Sequence, residues 1–162
     1  VRTIGADTGE RTWGEARGPT FAQRRRLSLR GARRQVARGR AFAREALEDW
    51  GWDGQEASED AILVVSELLT NANLHADGCH ELLLRGGDTF RVEVYDGHGD
   101  LRRLAPGTPR LRTPGAPGGY GLLLVRRVAD LWGAEAIAQG KVVWAEFDAD
   151  RLRSGGPGPW RT

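Results

Sequence analysis

The spacing of apolar residues changes several times along the chain, and each change marks an element. From Ala32 to about Trp50, the residues Val36, Ala37, Phe42, Ala43, Ala46, Leu47 and Trp50 recur at three- and four-residue intervals. That period predicts an amphipathic helix, which Gly51 would stop. A second helix is expected from about Glu59 to Ala76, with Glu59 and Asp60 suited to its start. On it Ala61, Ile62, Val65, Leu68, Leu69, Ala72 and Ala76 share one face. Phe21–Leu29, Glu81–Arg85, Phe90–Tyr95, Ala134–Ala138 and Val142–Phe147 read as strands. Arg24–Arg26 confine the first of these to a sheet edge. Gly86-Gly87-Asp88 predicts a hairpin turn, and Gln139-Gly140 another. A third helix is expected over Leu122–Leu131. The long stretch 100–118, with Pro106, Pro109, Pro114 and Pro117, reads as a loop of the kind used for lids. Helices clustered on a mainly antiparallel sheet give an α+β, two-layer sandwich with a mixed, mostly antiparallel sheet and its helices on one face. Residues 1–20 read as a flexible tail, 21–150 as one domain, and 151–162 as a second, Gly/Pro-rich tail.

Composition narrows the class. The chain has 162 residues, 40% hydrophobic and 28% charged, which is enough for one packed core. A single cysteine, Cys79, excludes an internal disulfide. No apolar run approaches the ~20 residues that cross a bilayer, so a cytoplasmic protein with no membrane partner is expected. The net charge of +2 hides a split. Residues 1–44 hold twelve Arg against Asp7, Glu10 and Glu15, whereas residues 45–81 hold ten acids and no Lys or Arg. The basic stretch 24–44 raises nucleic-acid binding as an idea. Its amphipathic pattern favours a core helix with a solvated basic face instead, one able to meet an acidic partner or a second subunit.

Three constellations carry candidate chemistry. Glu67, Asn71 and His75 form a polar stripe at four-residue intervals on the second helix, with Leu63, Val64 and Leu74 around it. Such a stripe is either a solvated edge or a metal site. An Asn oxygen is a hard ligand suited to Mg²⁺, and a Glu can take a proton from a water or hydroxyl. Asp96 ends the alternating strand of Val92 and Val94, followed by Gly97. It is either a turn former or a carboxylate that accepts a hydrogen bond from a base amine. Gly118-Gly119-Tyr120-Gly121 opens the third helix, where free N–H groups and the helix dipole suit an anion.

Taken in order, these pieces resemble the GHKL ATPase superfamily of gyrases, heat-shock chaperones, histidine kinases and mismatch-repair proteins. "VVSELLTNANLHA" (Val64–Ala76), "GGYGLLLVRRVADLWG" (Gly118–Gly133) and "GKVVWAEF" (Gly140–Phe147) are similar to small stand-alone ATP-binding proteins of actinobacteria, relatives of anti-sigma factor serine kinases. The resemblance spans about residues 30–148. It implies ATP and Mg²⁺ as ligands, Glu67 as general base and Asn71 as the Mg²⁺ ligand. Asp96 would hold the adenine amine beside Gly97, and Gly119, Gly121 and Leu122 would lie by the phosphates. Residues 100–118 would be the ATP lid, and His75 would have a packing role. It implies a protein partner, either a small antagonist carrying the accepting serine or a sigma factor, and a homodimer. Two departures stand out. His98 occupies a usual Gly position, and Val142 stands where a Thr hydroxyl often supports adenine recognition. A nucleotide-gated binding module without turnover is the alternative function.

Overall fold

The computed structural model describes residues 21–53, 56–101 and 121–154. Their order is β1 (Phe21–Ser28), α1 (Gln35–Asp49), α2 (Glu56–His75), β2 (Cys79–Gly87), β3 (Thr89–Asp96), α3 (Gly121–Val128), β4 (Leu131–Ile137), β5 (Gly140–Asp148) and α4 (Ala149–Ser154). The strands form one sheet in the order β1-β2-β3-β5-β4, with β1 at an edge as its arginines implied. Every pairing among the described residues is antiparallel, so the parallel component that a mixed sheet would include is not present there.

Local chemistry explains where the elements begin and end. α1 starts three residues later than the periodicity suggested, because Arg34 takes a left-handed conformation (φ 56°) before it. Gln35 then ties the helix start to the sheet. Its Nε2 donates to the carbonyls of Leu29 (2.6 Å) and Cys79 (3.1 Å), and its Oε1 accepts from the Cys79 N–H (2.9 Å). At the other end Trp52 N–H bonds the Leu47 carbonyl and Gly51 N–H bonds that of Glu48. This is a Schellman closure, and it needs the positive φ of Gly51 (70°). α2 begins at Glu56, ahead of Glu59. Ser58 does not cap it; its hydroxyl donates to the Trp52 carbonyl instead.

The core lies between the sheet and the helices. From α2 it takes Ala61, Ile62, Val64, Val65, Leu68, Leu69 and Ala72; from the sheet it takes Leu82, Leu84, Phe90, Val92, Val94, Val143, Ala145 and Phe147. Val64 was expected beside the polar stripe, yet it is fully buried. The buried arc of α2 is wide because the helix packs against both α1 and α3 as well as the sheet. Trp50, Trp52 and Phe90 close one end of the core in edge-to-face contacts, with ring centroids 5.7–6.3 Å apart. The opposite face of the sheet is mixed, with Leu83 and Val142 buried beside charged residues. There Arg91 pairs with Glu93 (2.8 Å) and Glu146, and lies 4.1 Å over the Trp144 ring.

Three further boundaries differ from the sequence reading. Leu131 belongs to β4 rather than to the third helix, which ends at Val128. Asp130 forces this exit: its N–H bonds the Glu146 carbonyl and its Oδ2 accepts from the Asp148 N–H (2.8 Å), so the chain enters the sheet at once. β2 runs from Cys79 to Gly87, longer at both ends than expected, so two of the expected turn residues are sheet. Residues 151–154 are not tail but part of α4. Leu152 is fully buried there, and the Arg151 guanidinium reaches Asp130 (2.8 Å) and the Val128 carbonyl (3.3 Å) at the end of α3. The expected tails at 1–20 and 155–162, and nearly all of the expected lid, lie outside the described residues.

Candidate functional site

Asp96 is the last residue of β3, directly across from Lys141 on β5. Strand alternation puts both on the helix side, in phase with Val94 and Val143 of the core. The two side chains are sealed, at 1% and 3% exposure. Lys141 Nζ lies 2.9 Å from Asp96 Oδ1 and 2.8 Å from Oδ2. The ammonium thus bridges both carboxylate oxygens, and among the described residues no further donor reaches Oδ2. Nζ also donates to the His98 carbonyl (2.9 Å), and the His98 N–H donates to Oδ1 (2.9 Å).

The backbone holds this knot tightly. Gly140, at φ +146°, crosses so close to β3 that a Cβ there would lie 1.8 Å from the Asp96 carbonyl oxygen. No other residue type fits. The resemblance puts the adenine amine beside Gly97; in the structure the side of Gly97 where a Cβ would stand is filled by the His80 ring, whose Cε1 would meet that Cβ at 2.8 Å. His80 in turn places Nδ1 3.0 Å from the Arg30 guanidinium.

Two sequence concerns change with this geometry. His98 enters the site through its backbone, while its side chain is exposed. Val142 pairs across from Tyr95 and points to the outer face of the sheet. The residue that meets Asp96 is Lys141. Sequence reasoning passed over it, although two signals were available. It is the chain's only lysine. It also stands one alternation before Val143, where an apolar residue would continue the buried face.

Glu67 and Asn71 sit one turn apart on α2, both half-buried. Neither is hydrogen-bonded or ion-paired among the described residues, whereas Ser66 on the same helix turns inward to the Ile62 carbonyl (3.1 Å). The flanking Leu63 and Leu74 are partly open, at 38% and 44% exposure. α2 packs on α3, whose first residues are Gly121 and Leu122, and also against β3 and β5. The helix that carries Glu67 and Asn71 therefore borders both the strand that ends in Asp96 and the helix that begins at Gly121, with Leu122 packed against the core. Gly119 lies outside the described residues, and of His75 only its place at the end of α2 is described.

Half-buried, unengaged oxygen ligands on a helix fit a hard cation that keeps most of its waters. Among the described residues no group of three His, Cys, Asp or Glu side chains is placed to hold a metal. A Mg²⁺ ion at Asn71 would therefore complete its shell with water and phosphate oxygens.

An antiparallel sheet backed by helices, with a buried Asp at a strand end and a Glu-x-x-x-Asn turn on the facing helix, is consistent with the α+β sandwich of the GHKL ATPase fold. The model of the histidine kinase-like ATPase domain matches residues 29–147, most of the chain, and the protein belongs to that family. It is a nucleotide-binding domain of regulatory type within the GHKL superfamily. No curated protein and no solved structure matches the chain. No helix among the described residues is long and apolar enough to cross a membrane.

Proposed function

We propose that the protein binds Mg–ATP and transfers the γ-phosphoryl group to a serine or threonine of a small partner protein, in the manner of an anti-sigma factor kinase. The observation that carries this reading is the Glu67–Asn71 pair, unengaged among the described residues, on the helix that packs over the strand ending in Asp96. Asp96 accepts a hydrogen bond from the base amine. Asn71 presents its amide oxygen to the metal, and the N–H groups at the start of α3 face the phosphates. Mg²⁺ supplies charge neutralisation at the phosphate oxygens, which is where this class of transfer needs help. Glu67 orients the acceptor hydroxyl and takes its proton as the oxygen bonds to the γ-phosphorus. The bond from phosphorus to the β,γ-bridging oxygen breaks, and ADP leaves. The partner is an antagonist protein that offers the hydroxyl; a sigma factor held in one nucleotide state is the other protein this surface would serve, and a homodimer would present two such sites.

A second reading has its own observation. Asp96 Oδ1 already accepts from the His98 N–H and Lys141, and so firm an anchor suits a module that binds nucleotide and reports it through the segment after β3 without turnover. Incubation with γ-labelled ATP and candidate antagonist proteins separates the two. Transfer that disappears in Glu67→Ala supports the kinase. Transfer that survives Glu67→Ala sinks the role given to that residue, and tight binding without transfer or hydrolysis favours the module.

A further inference from the structure

We propose that the outward face of α1 is a self-complementary surface on which a second copy of this chain docks, with the two α1 helices antiparallel about Ala41. Arg34 at the N-cap and Ala37, Arg38, Ala41, Glu45 and Glu48 along the helix fall within an arc of about 100°. All of them are exposed. The buried Gly39, Ala43 and Leu47 lie on the opposite side, toward α2 and the sheet.

The charges on this stripe are sorted against the helix dipole. Arg34 and Arg38 stand at the N-terminal end, Glu45 and Glu48 at the C-terminal end. The first turn holds no acid and the last turn no base, whereas the dipole favours both. Nothing within the fold offsets this cost. On the flanks Arg44 reaches Glu59 (3.6 Å) and Asp49 pairs with Arg25. The four charges of the stripe have no ion-pair or side-chain hydrogen-bond partner among the described residues. A local rule broken without gain inside the fold points to a use outside it.

Two-fold symmetry supplies the complement, because an isologous contact sets one stripe against its own copy. With the axis at Ala41, Arg34 lies seven residues to one side and Glu48 seven to the other. Each Arg34 therefore comes level with the second copy's Glu48. Arg38 and the second copy's Glu45 come within about 1.5 Å of level, the rise of one residue. Antiparallel docking thus makes four cross-helix ion pairs, while parallel docking would set like charge against like. Ala37 and Ala41 near the centre are small enough for the axes to approach to about 8 Å. The inference assigns a surface to the homodimer of the functional reading and does not depend on nucleotide binding.

One helix face is a small interface, and exposed ion pairs are weak. Association with a Kd of about 100 µM at low salt is expected, loosening about tenfold or more between about 0.05 and 0.5 M salt. Sedimentation equilibrium of the full chain tests this with Arg34→Glu/Arg38→Glu, whose stripe is wholly acidic, and Glu45→Arg/Glu48→Arg, whose stripe is wholly basic. Each variant alone should be monomeric where the wild type associates. An equal mixture should associate at least as tightly as the wild type, since all four pairs are restored. The acidic variant places its new carboxylates where the dipole favours them, so it should melt no lower than the wild type. Its loss of association is then not loss of fold. Wild-type protein that stays monomeric at low salt overturns the inference, as does association of equal strength in both variants or a mixture of folded variants that stays monomeric. Salt-sensitive DNA binding that the acidic variant loses, by a wild type that does not self-associate, overturns it in favour of a nucleic-acid face. Each of these failures leaves ATP titration of the wild type unchanged, so it is distinguishable from failure of the functional reading.

Discussion

Replacing Lys141 with Met removes one charge of a pair whose side chains are 3% and 1% exposed. The methionine is close in volume, so the packing change is small and the electrostatic change dominates. Nζ contacts both carboxylate oxygens and the His98 carbonyl. Its loss therefore strands a carboxylate and a backbone acceptor away from water. Removal of one partner of a buried pair costs about 3–5 kcal/mol, a large share of the roughly 5–15 kcal/mol that holds a domain together. Asp96→Asn should cost a similar amount, because it leaves the ammonium unmatched. The double variant Asp96→Asn/Lys141→Met buries no charge and should recover most of the loss. Urea denaturation followed by tryptophan fluorescence reads this directly, since Trp50, Trp52 and Phe90 pack together in the core. With a slope of about 1–3 kcal/mol per molar urea, each single variant should shift the midpoint down by about 2 M. Single variants that cost less than about 1 kcal/mol, or a double variant that costs the sum of the two, would refute the account of this pair.

Three further outcomes follow from other parts of the molecule. Gly140→Ala places a Cβ 1.8 Å from the Asp96 carbonyl at φ +146°; a loss of about 3 kcal/mol or more is expected from strain and overlap, and an unchanged melting temperature would contradict it. Leu152→Ala should cost about 2–5 kcal/mol, because Leu152 is fully buried; a neutral effect would mean that α4 is not part of the core. Burial pushes the Cys79 thiol up to about 12, so it should resist iodoacetamide at pH 8 until the protein unfolds. Between about pH 9 and 12 the folded state holds a proton that the unfolded thiol has released. Stability contributed by Cys79 is complete below about pH 9 and is lost as pH rises from there toward 12, at about 1.4 kcal/mol per pH unit. Rapid labelling at pH 8, or stability that rises over that window, would count against the burial.

Much of this architecture was legible because period and punctuation carry it. The helical spacing of α1 and its stop at Gly51, the apolar face of α2 and the alternation in β3 and β5 all matched simple geometry. What could not be read depended on partners far along the chain. α3 stops early because Asp130 bonds to β5, and residues 151–154 are helical because Arg151 and Leu152 find partners in α3 and the core. Neither is a local signal. Of the candidate site, Glu67, Asn71 and Asp96 were placed on a helix and at a strand end from residue type and position, as the structure has them. Lys141 was not, because its meaning comes from the cross-strand register that sets it opposite Asp96. The same register removes Val142 from the site, so the missing hydroxyl at that position is no argument against adenine binding.

Calorimetric titration of the full chain with ATP, in the presence and absence of Mg²⁺, tests the central claim most directly when wild type is compared with Asn71→Ala. One saturable site is expected in the wild-type protein. Mg²⁺ should tighten it, and Asn71→Ala should abolish that tightening while leaving the metal-free binding in place. Absence of saturable binding, or an Mg²⁺ effect of equal size in Asn71→Ala, would contradict a Mg–ATP site built on α2 and the end of β3.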